Sequence, residues 1–152
     1  MSGPTYTVRI AEYVNAGGKP PHARPEYAPK DDKPYTKADQ KMTTEELSLN
    51  TDSFDNAIKF MKIVDGNKKQ GDGYIDAKEL GKALAALQKK SPEDFKKVVG
   101  ASNNVDMQKL ASAVLDNHIT HADILNAPTF NVNVVNRGNK SISVSGDGVS
   151  TR

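Results

Sequence analysis

The sequence predicts a mainly α-helical domain with polar segments at both ends of the chain. Apolar residues recur at helical spacing on both sides of an acidic, glycine-containing loop, between residues 54 and 90. Only 36% of the 152 residues are hydrophobic and tryptophan is absent, which indicates a small folded core. We therefore expect a largely disordered segment at 1–43, a helical domain at 44–127, and a C-terminal hairpin or flexible tail at 128–152.

The N-terminal segment divides into a short strand and a proline-rich linker. Residues 5–10 alternate polar and apolar side chains, as a half-buried strand does, and Gly17 and Gly18 interrupt the pattern. Residues 19–41 are rich in proline, lysine and aspartate, a composition that favours an extended or disordered linker. A polyproline docking segment is the alternative, although no two of these prolines stand at PxxP spacing.

Capping residues and helix breakers place the helices. Serine, threonine and aspartate caps precede apolar residues at helical spacing, and glycine or proline follows them. Helix starts are expected at residues 43–46, 50–53, 76, 91–92 and 107, and Gly100 and Pro128 end two of the helices. The apolar positions around the central loop are Ala57, Phe60, Met61 and Val64 before it, and Leu80, Ala83, Leu84 and Leu87 after it.

The second half of the central loop, residues 72–79, carries a spacing typical of an ion site. Asp72 is followed by a glycine, then by Ile75, and four residues later by Glu79. A hard dication such as Ca²⁺ takes about six to eight oxygen ligands, so several carboxylates must converge on one point. This spacing resembles the back half of an EF-hand calcium loop, and residues 51–127 as a whole are similar to the EF-hand superfamily.

The resemblance implies a single Ca²⁺ site in this loop. Asp72 and Glu79 would supply carboxylates, Tyr74 its backbone carbonyl, and Asp76 an oxygen atom directly or through water. Gly73 would adopt a positive φ, and the isoleucine at position 75 would point into the core. Because lysines flank the loop, we expect weak affinity, with a dissociation constant of about 10⁻⁵ M or higher.

The first half of the loop allows three interpretations. Counting the usual twelve residues back from Glu79 puts Lys68 at the first ligand position, which predicts a site that binds no ion. The apolar spacing of both helices instead starts the loop at Asp65, with Asp65 and Asn67 as the first two ligands and three extra residues after them. A longer loop that begins at Gly66 and uses backbone carbonyls as ligands is the third possibility.

A second motif, at residues 116–123, repeats the loop pattern in degenerate form, with Asn in place of Gly and Asp in place of Glu. EF-hands normally pair, so the resemblance implies a partner motif that braces the first loop through a bridge between Ile75 and Ile119. This motif lacks the first carboxylates, and we expect it not to bind calcium.

Two histidines in the second motif suggest another metal site. His118 and His121, with Asp116 and Asp123 nearby, are residue types that bind zinc or copper. Residues three apart on a strand point to opposite faces, however, so exposed loop histidines are the preferred interpretation.

Alternating residues beyond Pro128 predict a β-hairpin. Phe130, Val132 and Val134 alternate with asparagines, residues 136–139 carry a turn signal, and the alternation resumes as far as Val144. Residues 5–10 would add a third strand; otherwise the hairpin is a flexible tail or an edge that pairs with a partner chain. The last residues, 146–152, are expected to be disordered.

Composition excludes several classes of function. No apolar run approaches the roughly twenty residues of a membrane span, and no secretory signal is visible, so a cytoplasmic location is the default expectation. A net charge of +2 gives no basis for nucleic-acid binding, and no catalytic motif or cysteine indicates an enzyme. We expect a calcium-binding module that acts through an unidentified protein partner. The alternative is a metal-free scaffold whose tails bind a partner.

Overall fold

A computed structural model describes residues 3–13, 41–42, 44–51, 53–66, 73–140, 143–145 and 148–150. Over these ranges the chain is mainly α-helical, as predicted, with a small parallel sheet beside the helices. The helices are α1 (Thr44–Thr51), α2 (Phe54–Val64), α3 (Ala77–Lys90), α4 (Pro92–Val98), α5 (Met107–Asp116) and α6 (His121–Asn126). The strands are β1 (Thr5–Tyr13), β2 (Lys41–Met42), β3 (Ile75–Asp76), β4 (Asn104–Val105), β5 (Asn131–Lys140), β6 (Ser143–Ser145) and β7 (Gly148–Ser150).

Helices α2 and α4 begin at the caps that the sequence predicts. The Ser53 hydroxyl accepts a hydrogen bond from the backbone N–H of Asn56 at 3.1 Å, and the Ser91 hydroxyl caps α4 in the same way. Helix α3 begins one residue later than expected because Asp76 is its N-cap, and α4 ends at Val98 rather than at Gly100. Each cap pairs an N–H that the helix itself leaves without a partner.

The core lies between α3 and the helices around it. All eight apolar positions predicted on either side of the central loop are buried, and α5 adds Leu110 and Val114 to the same cluster. Burying one such Leu, Ile, Met or Phe side chain contributes roughly 1.5–3 kcal/mol. None of the helices in the described ranges has the length and apolar composition that a bilayer crossing requires.

The two ends of the described chain meet in one parallel sheet. Its strand order is β4-β1-β5, with Thr5 opposite Asn131 and Val8 opposite both Val105 and Val134. The valines of this layer are buried against the helices, and Tyr6 packs on Phe95 of α4 and on Phe130. The pairing of the N-terminal strand with the C-terminal one, an open possibility in the sequence, is present.

The predicted hairpin at residues 130–144 is wrong. Strand β5 runs through the predicted turn at residues 136–139, and the register with β1 shifts there, so that Ile10 lies opposite Asn136 and Ala11 opposite Gly138. The turn-forming residues are accommodated as a β-bulge, which adds one residue to one strand without reversing the chain. The hairpin lies further on, where β6 pairs antiparallel with β7, and residues 148–150 form a strand instead of the expected disordered end.

The proline-rich linker expected at residues 19–41 lies outside the described residues except for its last position, Lys41. Lys41 and Met42 form the short strand β2, directly before α1. The division of the chain at residues 43 and 128 stays a prediction.

Candidate metal centre

The central loop brings together two acidic side chains that are fourteen positions apart in the sequence. Asp65 follows the last residue of α2 and is only 6% exposed. Glu79 lies in the first turn of α3, and its carboxyl group is hydrogen-bonded to that of Asp65. The end of the entering helix and the start of the leaving helix are therefore joined through two carboxyl groups.

Asp65 is held by both ends of the loop. Its backbone N–H donates to the carbonyl of Met61 at 2.8 Å, which closes the last turn of α2. Its Oδ2 accepts a hydrogen bond from the backbone N–H of Gly73 at 2.9 Å. Gly73 has a φ of 85°, the positive value that the sequence predicts and that only glycine adopts at little cost.

Asp76 and Glu79 also form a capping box at the start of α3. The Glu79 N–H donates to Oδ1 of Asp76 at 2.8 Å, and the Asp76 N–H donates to Oε1 of Glu79 at 3.1 Å. This reciprocal pair fixes the position of the Glu79 carboxyl group. It also occupies one carboxylate oxygen of Asp76, so the expected ligand role of Asp76 falls to Oδ2.

The pairing of Asp65 with Glu79 changes the acidity of the site. Burial raises the pKa of Glu79 to about 10, helped by its hydrogen bond to Asp65 and by the negative charges of Asp65 and Asp76, while the Asp76 backbone N–H opposes the shift. Two carboxylates in contact cannot both remain ionised unless a cation lies between them. At neutral pH the pair therefore keeps a proton.

Only some of the remaining predicted ligands lie among the described residues. Tyr74 is buried at 5% exposure, between Gly73 and the buried Ile75, so its carbonyl belongs to the same turn. Asn67 and Asp72 lie outside the described residues, as does the inner part of the loop on which its register depends. Among the side chains that the structure describes, no group of three His, Asp or Glu residues is arranged to hold a metal ion. A complete site would thus need oxygen atoms from residues 67–72.

The expected bridge between Ile75 and Ile119 is wrong. Ile75 pairs instead with Met42, in an antiparallel β2–β3 contact that also sets Lys41 opposite Asp76. Ile119 is buried, but its N–H donates to the Val114 carbonyl at 3.1 Å, as part of the cap that ends α5. A backbone N–H used in a helix cap is not available to a β-bridge.

The sequence does contain a signal for the true partner of Ile75, and it was missed. Met42 has an aspartate three residues before it, Asp39, and a glutamate four residues after it, Glu46, the same spacing as Asp72, Ile75 and Glu79. Met42 and Glu46 are both buried, and Glu46 lies in the first turn of α1. Asp39 lies outside the described residues. The repeat was hidden because a proline-rich stretch precedes it where an entering helix was expected.

The two histidines of the second motif do not converge. His118 is exposed and has a φ of 54°, whereas His121 is half-buried and its Nδ1 lies 2.7 Å from the Ile63 carbonyl oxygen. Asp123 is engaged in a capping box with Thr120. The zinc or copper alternative therefore has no geometric support in this motif.

No protein-family model, no curated protein and no solved structure matches this chain. Any function has to be inferred from the residues and their geometry.

Proposed function

We propose that the chain is a calcium-binding module whose single site is the lengthened loop from Asp65 to Glu79. The observation that carries this proposal is the contact between the buried Asp65 carboxyl group and the half-buried Glu79 carboxyl group, one from each end of a helix–loop–helix. A buried acidic pair is costly unless a proton or a cation neutralises it. An ion-binding function explains why such a pair sits in this loop.

The donor set favours calcium over other metals. The chain has no cysteine, and the candidate ligands are carboxylates, an amide and a backbone carbonyl, all oxygen donors. Zinc sites draw on thiolates and imidazoles, while Mg²⁺ demands a near-ideal octahedron of about six close ligands. A long loop with two or three acidic residues and flanking lysines fits the flexible coordination of Ca²⁺ at weak affinity.

The bound ion would supply positive charge between the two helix ends. Asp65 would hold the end of α2 and Glu79 the start of α3, so ion binding would fix the relative positions of these helices. The apolar residues Met61, Leu84 and Leu87 are fully buried in the ion-free arrangement. A protein partner would contact them only if ion binding reorients α2 or α3 and exposes them.

A metal-free scaffold is the second candidate, and one observation favours it. The loop ends are already closed by hydrogen bonds among Asp65, Gly73, Asp76 and Glu79. In that case the acidic pair, kept neutral by its proton, would be a structural element, and partner binding would fall to other parts of the chain.

A Glu79→Gln variant separates the two candidates. Glutamine keeps the size of the side chain but removes the charge that an ion needs, so the calcium module should lose saturable binding in the millimolar range. Glu93→Gln is the matched control, because Glu93 lies exposed in the first turn of α4. Binding is measured by calorimetry and by the amide resonance of Gly73, starting from chelator-treated protein.

The same titration contains a second test. Since the ion-free Glu79 carboxyl group keeps its proton at neutral pH, calcium binding should release about one proton and tighten as the pH rises. Calorimetry in two buffers of different ionisation enthalpy measures that proton. If the wild-type protein shows no response up to several millimolar calcium, the metal-free scaffold is the better description.

A further inference from the structure

We infer that His121 is a positioning residue for the candidate site, because it caps the end of α2 and so sets where Asp65 lies. The inference rests on the proposed function for its role in ion binding, while the contact itself lies between residues that the structure describes. It gives the second motif a function other than the bridge that the sequence predicts.

The contact joins two elements that are far apart in the chain. His121 is the first residue of α6, and its Nδ1 lies 2.7 Å from the backbone carbonyl oxygen of Ile63 near the end of α2. The last four carbonyls of a helix have no partner within the helix. The bond that Asp65 makes to Met61 closes the last turn, and the Ile63 carbonyl, two residues further on, is met by His121.

The direction of this hydrogen bond is fixed by its chemistry. A backbone carbonyl oxygen only accepts, so the imidazole must carry its hydrogen on Nδ1. Both the neutral Nδ1–H form and the doubly protonated cation donate in this way. The contact therefore requires a donor at this position in space, and an acceptor of the same shape would not replace it.

The donor is held rigidly on its own side. Thr120 and Asp123 form a capping box around the start of α6, with hydrogen bonds of 2.9 and 3.2 Å. Ile119 and Ile124, which flank this turn, are both buried. His121 thus presents its Nδ1–H from a turn that its own capping box and two buried isoleucines hold in place.

The capped carbonyl is two residues before the first candidate ligand. Asp65 in turn accepts the Gly73 N–H at 2.9 Å and contacts Glu79. Holding the end of α2 therefore holds one half of the carboxyl pair. If the cap were lost, the last turn of α2 would loosen and the Asp65 carboxylate would be less well aligned with the rest of the loop.

Two substitutions of nearly equal shape test the donor. His121→Asn places an amide N–H close to the position of Nδ1 and retains the donor, whereas His121→Asp presents only acceptors. Aspartate in the first turn is favourable for α6 through the helix dipole, so a defect in that variant cannot come from a weaker helix. His118→Asp, in the exposed loop three residues earlier, is the control for added charge.

The first readout needs no calcium. Amide hydrogen exchange of Gly73 in the ion-free protein reports on its bond to Asp65. We expect exchange about fivefold faster in His121→Asp, the loss of roughly one hydrogen bond, and close to wild type in His121→Asn and His118→Asp. Calcium affinity should fall by a similar factor in His121→Asp alone.

The outcomes distinguish this inference from the proposed function. Equal exchange rates in the Asn and Asp variants would show that the imidazole only fills space, and would overturn the positioning role whatever calcium does. A donor-dependent exchange pattern in a protein that binds no calcium would uphold the cap and overturn the calcium proposal. A loss confined to His118→Asp would overturn the assignment to His121.

Discussion

Two helices of this chain, α2 and α5, end in the same way, yet only one of them leads into a candidate metal site. Each has a cap residue, Asp65 or Asn117, followed by a residue with positive φ, Gly66 at 94° or His118 at 54°. In each region the next helix then begins with a capping box, preceded by a buried isoleucine. The difference lies in the cap residue and in what separates the two helices.

The side chains of the two cap residues have different hydrogen-bond partners. The Asp65 carboxylate turns into the loop, where it meets Gly73 and Glu79. The Asn117 amide instead donates to Asp94 on α4 at 2.8 Å and to the Ala113 carbonyl at 2.9 Å. A neutral donor thus occupies the place of an anion, and its partners lie on α4 and on the last turn of its own helix, not in the following loop.

The comparison shows what the shared sequence pattern encodes. The isoleucine and the acidic residue four positions after it, found in both regions, correspond to a buried anchor and a capping box, both of which are local structure. Only the first region has an acidic residue, Asp65, directly after the first helix. Its loop is also long enough for Gly73 and Glu79 to come back into contact with that residue. The acidic pair, and not the motif as a whole, marks the candidate site.

The largest expected effect on stability lies in α3, the helix that follows the first loop. In α3, Gly81 lies under the backbone of Phe130, whose N–H donates to the Gly81 carbonyl at 3.3 Å. A methyl group at Gly81 would overlap the Phe130 carbonyl oxygen. We expect Gly81→Ala to lower the free energy of unfolding by about 2 kcal/mol or more, despite the better helix propensity of alanine.

Gly100→Ala is the control for that substitution. A Cβ at Gly100 would lie 3.8 Å from the Asn104 carbonyl oxygen, an ordinary contact, so its effect should stay within about 0.5 kcal/mol. Urea denaturation of both variants measures the difference. Equal stability of the two would mean that α3 is not fixed by this close approach.

The next effect concerns Gly66 and His118, the residues with positive φ that directly follow the two helix caps. Gly66→Ala forces a side chain into the left-handed conformation and should cost about 1 kcal/mol, whereas His118→Gly relieves that strain in the second region and should stabilise by up to about 1 kcal/mol. If urea denaturation shows a lower free energy of unfolding for Gly66→Ala and a higher one for His118→Gly, the two helix ends are equivalent. Two changes of the same sign would contradict it.

The sequence predicts the local parts of this fold well and its long-range contacts poorly. The caps and apolar spacing predict the end of α2 at Val64 and the start of α3 to within one residue, while the register of the loop between them stays a prediction. The partner of Ile75 could not be found in the same way, because a two-residue strand such as β2 has no periodicity to detect. The contact of His121 with Ile63 has no local signal at all, since it depends on how α6 packs against α2.

Strand β5 shows that a turn-like composition does not by itself produce a turn. Asn136 to Asn139 have the composition of a hairpin turn, and the short-range rules predict one. Pairing with β1 instead continues through these residues, and the register shift leaves Arg137 as the extra residue of a bulge. Tertiary pairing overrides the local preference.

The third effect is the pH dependence of stability, in which the two regions should have opposite signs. The folded, ion-free protein holds the Glu79 proton more tightly than the unfolded chain, so this residue's contribution is complete below its ordinary pKa of 4.5 and is lost as the pH rises towards 10. Asp123 has its pKa lowered, first by the Thr120 backbone N–H. Its contribution is therefore present above its ordinary pKa of 3.8 and is lost as the pH falls through the lowered value.

Urea denaturation of chelator-treated protein between pH 3 and 9 tests this opposition. Glu79→Gln removes the ionisable group at the first site, so the decline in stability with rising pH should become shallower than in wild type. Asp123→Asn should flatten only the acid limb, and only slightly, because Asp123 is close to the surface and its interactions are screened by solvent. If Glu79→Gln leaves the slope above pH 5 unchanged, the Asp65–Glu79 pair does not hold a proton. The distinction between the regions would then rest on the hydrogen bonds of the two cap residues and on loop length.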